Sequence, residues 1–261
     1  MFPTIVRLGP LAIHTYGVLI ATAFLAGVGL AMREARRLGQ DPTKVMDLSL
    51  YIVISAIVGS RLLYVLLKFD YYIKKPLNIF MIWEGGLVFY GGLIGALIVG
   101  LWYMRRHGLN MWQTCDIFAP SLPLGQAIGR LGCFSAGCCY GSPTNLPWAV
   151  TFTNPETLAS PLGVPIHPTQ LYSSAIGLVI FLILMIMRKH KKFDGQLIWV
   201  YVVLSGIGRF FDEFCRADFR GPEVFGVIST TQAISIVSVI VGVVMLIILG
   251  KKHQLAPRPN P

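Results

Sequence analysis

Residues 125–141 read Gly125-Gln126-Ala127-Ile128-Gly129-Arg130-Leu131-Gly132-Cys133-Phe134-Ser135-Ala136-Gly137-Cys138-Cys139-Tyr140-Gly141. One arginine stands among glycines and apolar side chains at the end of a long hydrophobic run. An arginine inside a bilayer costs about 3 kcal/mol on insertion scales unless it faces water, a partner or an anion. The glycines let a second backbone or a substrate come close. Arg61 and Arg209 stand in similarly apolar surroundings. The stretch therefore reads as part of a membrane scaffold that brings guanidinium groups together.

Composition agrees. Apolar residues make up 54% of the 261 residues and charged ones 13%, with a mean hydropathy of +0.65. Soluble domains carry roughly 25% charged residues, so a large soluble core is excluded. In a soluble protein the net charge of +10 would point to nucleic acid; here it fits cytoplasmic loops and anion-binding arginines, and no nucleic-acid partner is expected. The first hydrophobic run is preceded by one arginine and followed by several, the reverse of a cleavable leader, so it is expected to stay as a helix.

Seven apolar stretches approach the 20 or so residues that a bilayer of about 30 Å requires: 13–33, 46–67, 86–104, 112–133, 168–187, 194–213 and 230–250. Pro120 and Pro123 are expected to kink or break the fourth. The almost purely aliphatic Ile234–Leu249 reads as a lipid-facing strut. The fold class is thus an all-α integral membrane protein of about seven transmembrane helices. Residues 1–261 form one polytopic domain, with a small extracytoplasmic loop insert at 137–167.

Basic residues set the orientation. Arg33, Arg36, Arg37 and Lys44 follow the first span, Arg105 and Arg106 the third, Arg188, Lys189, Lys191 and Lys192 the fifth, and Lys251 and Lys252 the seventh. Neither lysine nor arginine occurs from Leu131 to Met187. The positive-inside rule then puts the C-terminus in the cytoplasm and the N-terminus outside. Lys68, Lys74 and Lys75 fall on the other side; with Tyr71 and Tyr72 they read either as an interfacial arm on anionic lipid or as an ordinary solvated loop.

In this topology Arg130, Arg61, Arg209, Arg216 and Arg220 all gather toward the outer leaflet. Each has a structural alternative, pairing with a carboxylate such as Glu84, Asp212 or Glu213, but acids are too few nearby to explain all of them. A guanidinium fork matches phosphate or carboxylate, and the abundant anion in the membrane plane is a phospholipid head. The residues alone therefore support a site for an anionic lipid and name no reaction.

Six blocks occur in order: Tyr16-Gly17; Gly59-Ser60-Arg61; Trp83-Glu84-Gly85-Gly86-Leu87-Val88-Phe89-Tyr90-Gly91-Gly92-Leu93-Ile94-Gly95; Gly129-Arg130-Leu131-Gly132; His167-Pro168-Thr169-Gln170-Leu171-Tyr172; and Arg209-Phe210-Phe211-Asp212-Glu213-Phe214-Cys215-Arg216. Over residues 8–250 the chain resembles the bacterial phosphatidylglycerol–prolipoprotein diacylglyceryl transferases. The resemblance implies an enzyme of the bacterial cytoplasmic (inner) membrane. Its partners would be phosphatidylglycerol and a prolipoprotein signal peptide with a lipobox cysteine, whose thiol receives the diacylglyceryl group as a thioether while glycerol phosphate leaves. It further implies Arg130 and Arg209 as the essential pair, with Tyr90 beside them. Tyr16, Arg61, Glu84, Gly91, Gly92, Gly129, Gly132, Glu213 and Arg216 would bind substrate, and no cofactor is implied.

Two departures from the family pattern stand out. Tyr90 occupies a position that is histidine in many members, and a phenol is a poorer base than an imidazole, so Tyr90 reads first as an orienting group; an interfacial aromatic is the alternative. The familiar Asn-Phe-x-Asn-Gly-Glu continuation is replaced by Cys133, Ala136 and Cys138, which removes amide and carboxylate contacts there.

Cys133, Cys138 and Cys139 read as structural thiols, or as one disulfide from Cys133 to Cys138 or Cys139. They lack the Cys-x-x-Cys spacing of a redox pair. Zinc sites use about four ligands and no histidine is near in sequence, so no metal is expected. Cys115 and Cys215 read as packing residues. His167 reads as helix-entry geometry, His14 as interfacial or close to Tyr16, and Asp116 as a cap or ion-pair partner. Two further functions compete with the transferase: an anionic-lipid transporter, which should show repeated halves that the sequence lacks, and a membrane thiol redox protein built on the cysteines.

Overall fold

The computed structural model describes residues 3–8, 11–81, 85–217, 223–224 and 228–255. Helices dominate, and each predicted span has a helical counterpart: α1 Thr15–Arg37, α2 Pro42–Leu67, α4 Phe89–Arg106, α5 Met111–Phe118 with α6 Ser121–Ala136, α7 Thr169–Met187, α8 Gln196–Glu213 and α9 Thr230–Leu255. A short α3, Phe69–Lys74, and a 3-10 turn, Pro76–Phe80, follow α2. Among the described residues, four helical segments are long and apolar enough to cross a membrane: Thr15–Arg37, Pro42–Leu67, Thr169–Met187 and Thr230–Gln254. Large aliphatic side chains such as Leu25, Ile54, Ile186, Val237 and Ile247 are more than half exposed along them. Water tolerates no apolar surface of that extent, whereas lipid requires it.

The all-helical expectation missed three two-stranded hairpins among the described residues: β1 Thr4–Leu8 with β2 Leu11–His14, β3 Val150–Thr151 with β4 Pro165–Ile166, and β5 Glu223–Val224 with β6 Ile228–Ser229. Two of them use strands of only two residues, too short for any periodicity to register.

The chain divides into two compact units, Met1–Leu30 with Cys115–Pro261, and Ala31–Thr114. In the second, α2 begins at an Asp41 cap, whose carboxylate accepts from the Thr43 amide at 2.8 Å, with Pro42 in the first turn. It packs on α4 through small residues. A Cβ on Gly91 would fall 2.3 Å from the Gly59 carbonyl oxygen, and one on Gly95 would fall 2.6 Å from that of Ser55. Gly91 and Gly95 are thus the paired small residues of a close helix crossing.

In the first unit, α6, α7, α8 and α9 pack in sequence order. Pro120 separates α5 from α6, as expected, while Pro123 sits in the first turn of α6, where an amide would have no partner anyway. Gly177 brings α7 against α6, with its added Cβ 3.0 Å from the Pro123 carbonyl. Asp116 is fully buried on α5 and accepts from the Gly195 and Ile198 amides at 2.9 and 3.0 Å, capping α8, while Lys191 reaches it at 3.1 Å. Both readings of Asp116, cap and ion pair, therefore apply. The strut reading of α9 holds for one face; on the other, Gly206 admits Val239 and Gly242 admits Val203.

Candidate functional site

The site grows from the end of α6. Gly137 adopts φ +73°, and an added Cβ would fall 2.8 Å from Thr157 Cβ, so glycine is required there on two counts. The Gly137 amide bonds the Phe134 carbonyl at 3.3 Å and the Cys138 amide bonds that of Cys133 at 3.1 Å, the pairing of a Schellman motif. This closure folds Cys138 back over Cys133. Cys139 then takes φ +59°, a left-handed conformation uncommon outside glycine, and turns its sulfur to the same side. The three Sγ atoms lie within 4.8 Å of one another, half-buried. No disulfide forms, and all five cysteines are thiols.

The first turn of α7 fixes this loop. Thr169 Oγ1 donates to the Cys139 carbonyl and Gln170 Nε2 to that of Cys138, both at 2.8 Å, and both side chains are fully buried. Neither residue was singled out from the sequence; the only signal was their place in the His167–Tyr172 block. His167 lies 3.4 Å from the Tyr172 hydroxyl, which accepts from Trp148 Nε1 at 2.7 Å. The loop beyond has a small core of its own, Phe152, Ala159 and Ile166, against Phe134 and Tyr140.

Arg216 comes to the thiols from the end of α8. A bridge pairs its backbone with Gly141, and the Ser142 amide bonds the Cys215 carbonyl at 2.9 Å. The Arg216 side chain is almost wholly buried, hydrogen-bonds Cys139 and lies 3.8 Å from Asp212 Oδ2. Hydrogen bonds with the Cys133 and Cys138 thiols, and then Arg216, hold the Cys139 thiol well below the usual thiol range, against the opposing effect of burial. The same network, with burial, pushes Cys138 up.

Arg209 is braced on its own helix, with Nη1 to Asp212 at 3.1 Å and Nη2 to Glu213 at 2.7 Å. Ser173 of α7 donates to Asp212 at 2.7 Å, and Ser229 to Glu213 at 3.2 Å. The structural alternative considered for Arg209, pairing with Asp212 and Glu213, is therefore realised.

Arg130 differs. It is half-buried on α6, and among the described residues nothing accepts a hydrogen bond from its guanidinium or forms an ion pair with it. Its charge reaches Cys133 and Tyr16. Tyr16 of α1 is 44% exposed and its ring covers Gly132, where an added Cβ would meet it at 3.2 Å; Gly129 similarly admits Ile20 at 3.5 Å. These two glycines serve the packing of α1 on α6. The first unit thus brings together Tyr16, Arg130, the thiols, Arg216, and Arg209 with its acids.

Arg61, Tyr90, Gly91 and Gly92 belong to the second unit, and Glu84 lies outside the described residues. Arg61 departs from expectation. It is 7% exposed, and it donates to five carbonyls: Ile79 at 2.9 Å, Asn78 at 2.6 Å, Met81 at 3.1 Å, Gly85 at 2.7 Å and Gly86 at 3.3 Å. A guanidinium has five N–H donors, so none is left for a phosphate. The Tyr64 and Tyr72 rings flank it at 5.7 and 5.5 Å. Arg61 clamps the loop after α3. Gly91 and Gly92 face the α2 backbone, with an added Cβ on Gly92 2.9 Å from the Ala56 carbonyl. Tyr90 is 60% exposed at the start of α4.

Fold and site define a helical membrane protein that presents a half-buried arginine beside a thiol cluster and a carboxylate-braced arginine. The family model described as prolipoprotein diacylglyceryl transferase matches residues 3–248. Three relatives carry the name phosphatidylglycerol–prolipoprotein diacylglyceryl transferase. That of Clostridioides difficile (strain 630) is 35% identical over 239 residues, 92% of each chain. That of Bacillus cereus (strain 03BB102) is 36% identical over 256 residues, 97% of this chain and 94% of its own. That of Synechococcus elongatus is 36% identical over 267 residues, 99% and 91%. The chain belongs to the prolipoprotein diacylglyceryl transferase family.

Proposed function

We propose that this protein is a membrane transferase that moves the diacylglyceryl group of phosphatidylglycerol onto the lipobox cysteine of a prolipoprotein signal peptide. In the reaction the acceptor sulfur bonds the terminal glycerol carbon of the diacylglyceryl group. The carbon–oxygen bond to phosphate breaks, the thiol proton is released, and glycerol phosphate leaves. The chain crosses the bacterial cytoplasmic membrane seven times, with its N-terminus outside, its C-terminus in the cytoplasm and residues 137–167 on the outer face.

The observation that carries this reading is Arg130, a half-buried cation with its donors uncommitted among the described residues. Such a charge in an apolar protein calls for an anion, and a fork of N–H groups fits the phosphodiester. Arg130 binds that phosphate and stabilises the charge that grows on the leaving group. Arg209, oriented by Asp212 and Glu213, supplies the second cation. Reaching an acceptor thiolate from a thiol of pKa about 8.5 costs roughly 2 kcal/mol at neutral pH, and nearby guanidiniums offset part of it. Tyr16 borders the lipid head and Tyr90 orients a substrate.

The test is direct. The purified protein is given phosphatidylglycerol and a lipobox peptide, and mass spectrometry looks for a peptide heavier by one diacylglyceryl group. Formation with a cysteine peptide and not with its serine counterpart is expected. Lipid movement across vesicles with no thioether would replace the transferase by a transporter.

A further inference from the structure

We infer that Cys133, Cys138 and Cys139 form a three-thiolate site for one thiophilic divalent cation of the zinc class. The geometry carries the assignment. Three sulfurs already lie within 4.8 Å of one another. Zinc–sulfur bonds of about 2.3 Å in a tetrahedron set sulfurs roughly 3.8 Å apart. Closing the remaining gap takes side-chain rotation and leaves the backbone where it is.

That backbone is held for the purpose. The Schellman closure stacks Cys138 on Cys133, the left-handed Cys139 aims the third sulfur inward, and buried Thr169 and Gln170 tie down the two carbonyls between. A left-handed cysteine costs about 1 kcal/mol or more relative to glycine. A packing role does not explain why that position holds a cysteine.

Two alternatives fit less well. A disulfide takes two sulfurs and strands the third, whereas an ion takes all three. Charge also balances with a divalent ion: three thiolates and one dication sum to −1, while the charged side chains around them, Arg130, Arg209 and Arg216 against Asp212 and Glu213, sum to +1. Half-buried charge requires such compensation. Soft sulfur donors select zinc-like or cuprous ions over magnesium or calcium, and the charge count favours the divalent choice. With three protein ligands the fourth position stays open, as in zinc sites that exchange a ligand.

The full-length protein, purified and reduced without oxygen, is titrated with Cd2+ and with Zn2+ against a chromophoric chelator. The expected result is one ion per chain, with a thiolate-to-cadmium absorption band, and Zn2+ shielding three cysteines from maleimide labelling. Loss of an outer-shell partner alone weakens metal sites by up to about 100-fold, so Cys138→Ser should weaken binding by more. Cys115→Ser and Cys215→Ser should leave it unchanged. The labelling readout needs no variant, so it stands if Cys138→Ser fails to fold. Equal labelling with and without Zn2+ in the folded protein overturns the assignment, as does undiminished binding by folded Cys138→Ser. Binding is read with metal alone, so failure of the lipid-transfer reading leaves this test intact.

Discussion

Glu213 holds Arg209 from one turn further along α8, Oε2 to Nη2 at 2.7 Å, with both side chains largely withdrawn from solvent. The cation is therefore oriented by acids of its own helix. Charge-assisted bonds of this kind contribute roughly 1.5–3 kcal/mol, and here partial exposure and the second acid, Asp212, reduce the share of any one pair. A double-mutant cycle of Arg209→Gln and Glu213→Gln, read by thermal unfolding in detergent, is expected to give about 1 kcal/mol of coupling. Turnover of Glu213→Gln should fall, yet by less than that of Arg209→Gln. Additive effects in the cycle would mean that the pair is incidental.

Arg61 makes the opposite prediction for a residue of the same type. Its five donors are spent on carbonyls of 78–86, so its removal leaves several acceptors to find water in an apolar setting. Arg61→Ala should cost about 3 kcal/mol or more. Arg61→Lys should rescue little, because an ammonium offers three donors and no fork. Limited proteolysis should then cut within 76–86 first. The KM for phosphatidylglycerol should stay near normal in whatever fraction remains folded. A large KM increase with no loss of stability would return Arg61 to the lipid site.

Much of the helix plan was legible in the sequence because apolar stretches of bilayer length and basic flanks are strong, local signals. Pro120 marked the break between α5 and α6 correctly. What composition could not separate was the job of each arginine. Arg61, Arg130 and Arg209 look alike as isolated cations in apolar runs, and only tertiary contacts reveal that one clamps a loop, one is braced by acids, and one is left open. The glycines were equally ambiguous: Gly91 and Gly92 look like room for a substrate and instead admit α2, while Gly129 and Gly132 admit α1. The thiol cluster was hidden for another reason. A Schellman closure followed by a left-handed residue brings i, i+5 and i+6 together, a spacing that no metal or redox motif announces.

The α2–α4 crossing yields a contrast within one helix. An added Cβ on Gly91 would meet the Gly59 carbonyl at 2.3 Å, backbone against backbone, whereas one on Gly100 would meet Ile52 at 3.8 Å in ordinary contact. Gly91→Ala must separate the helices and should destabilise by about 3 kcal/mol, the upper end of what overpacking costs. Gly100→Ala fills available space and regains helix propensity of about 1 kcal/mol, so it should be neutral or slightly stabilising. Thermal unfolding of the two variants in the same detergent checks the ordering, and equal stability would show that the crossing is looser than described.

Arg130 offers the sharpest test of phosphate binding, because charge and fork can be separated. If the guanidinium acts only as a point charge, Arg130→Lys should retain most activity. If it binds the phosphodiester through paired N–H groups, lysine keeps the attraction and loses the geometry. Removing a single oriented donor at a developing anion costs about 100-fold or more. Arg130→Ala should therefore lose at least that factor in kcat/KM, with Arg130→Lys intermediate. Both variants should unfold at the wild-type temperature or above, since no described residue loses a bond and a half-buried cation is removed or made more flexible. Activity and stability should thus move in different directions, which a structural arginine would not allow. A drop in Tm that parallels the loss of activity would place Arg130 among the packing residues.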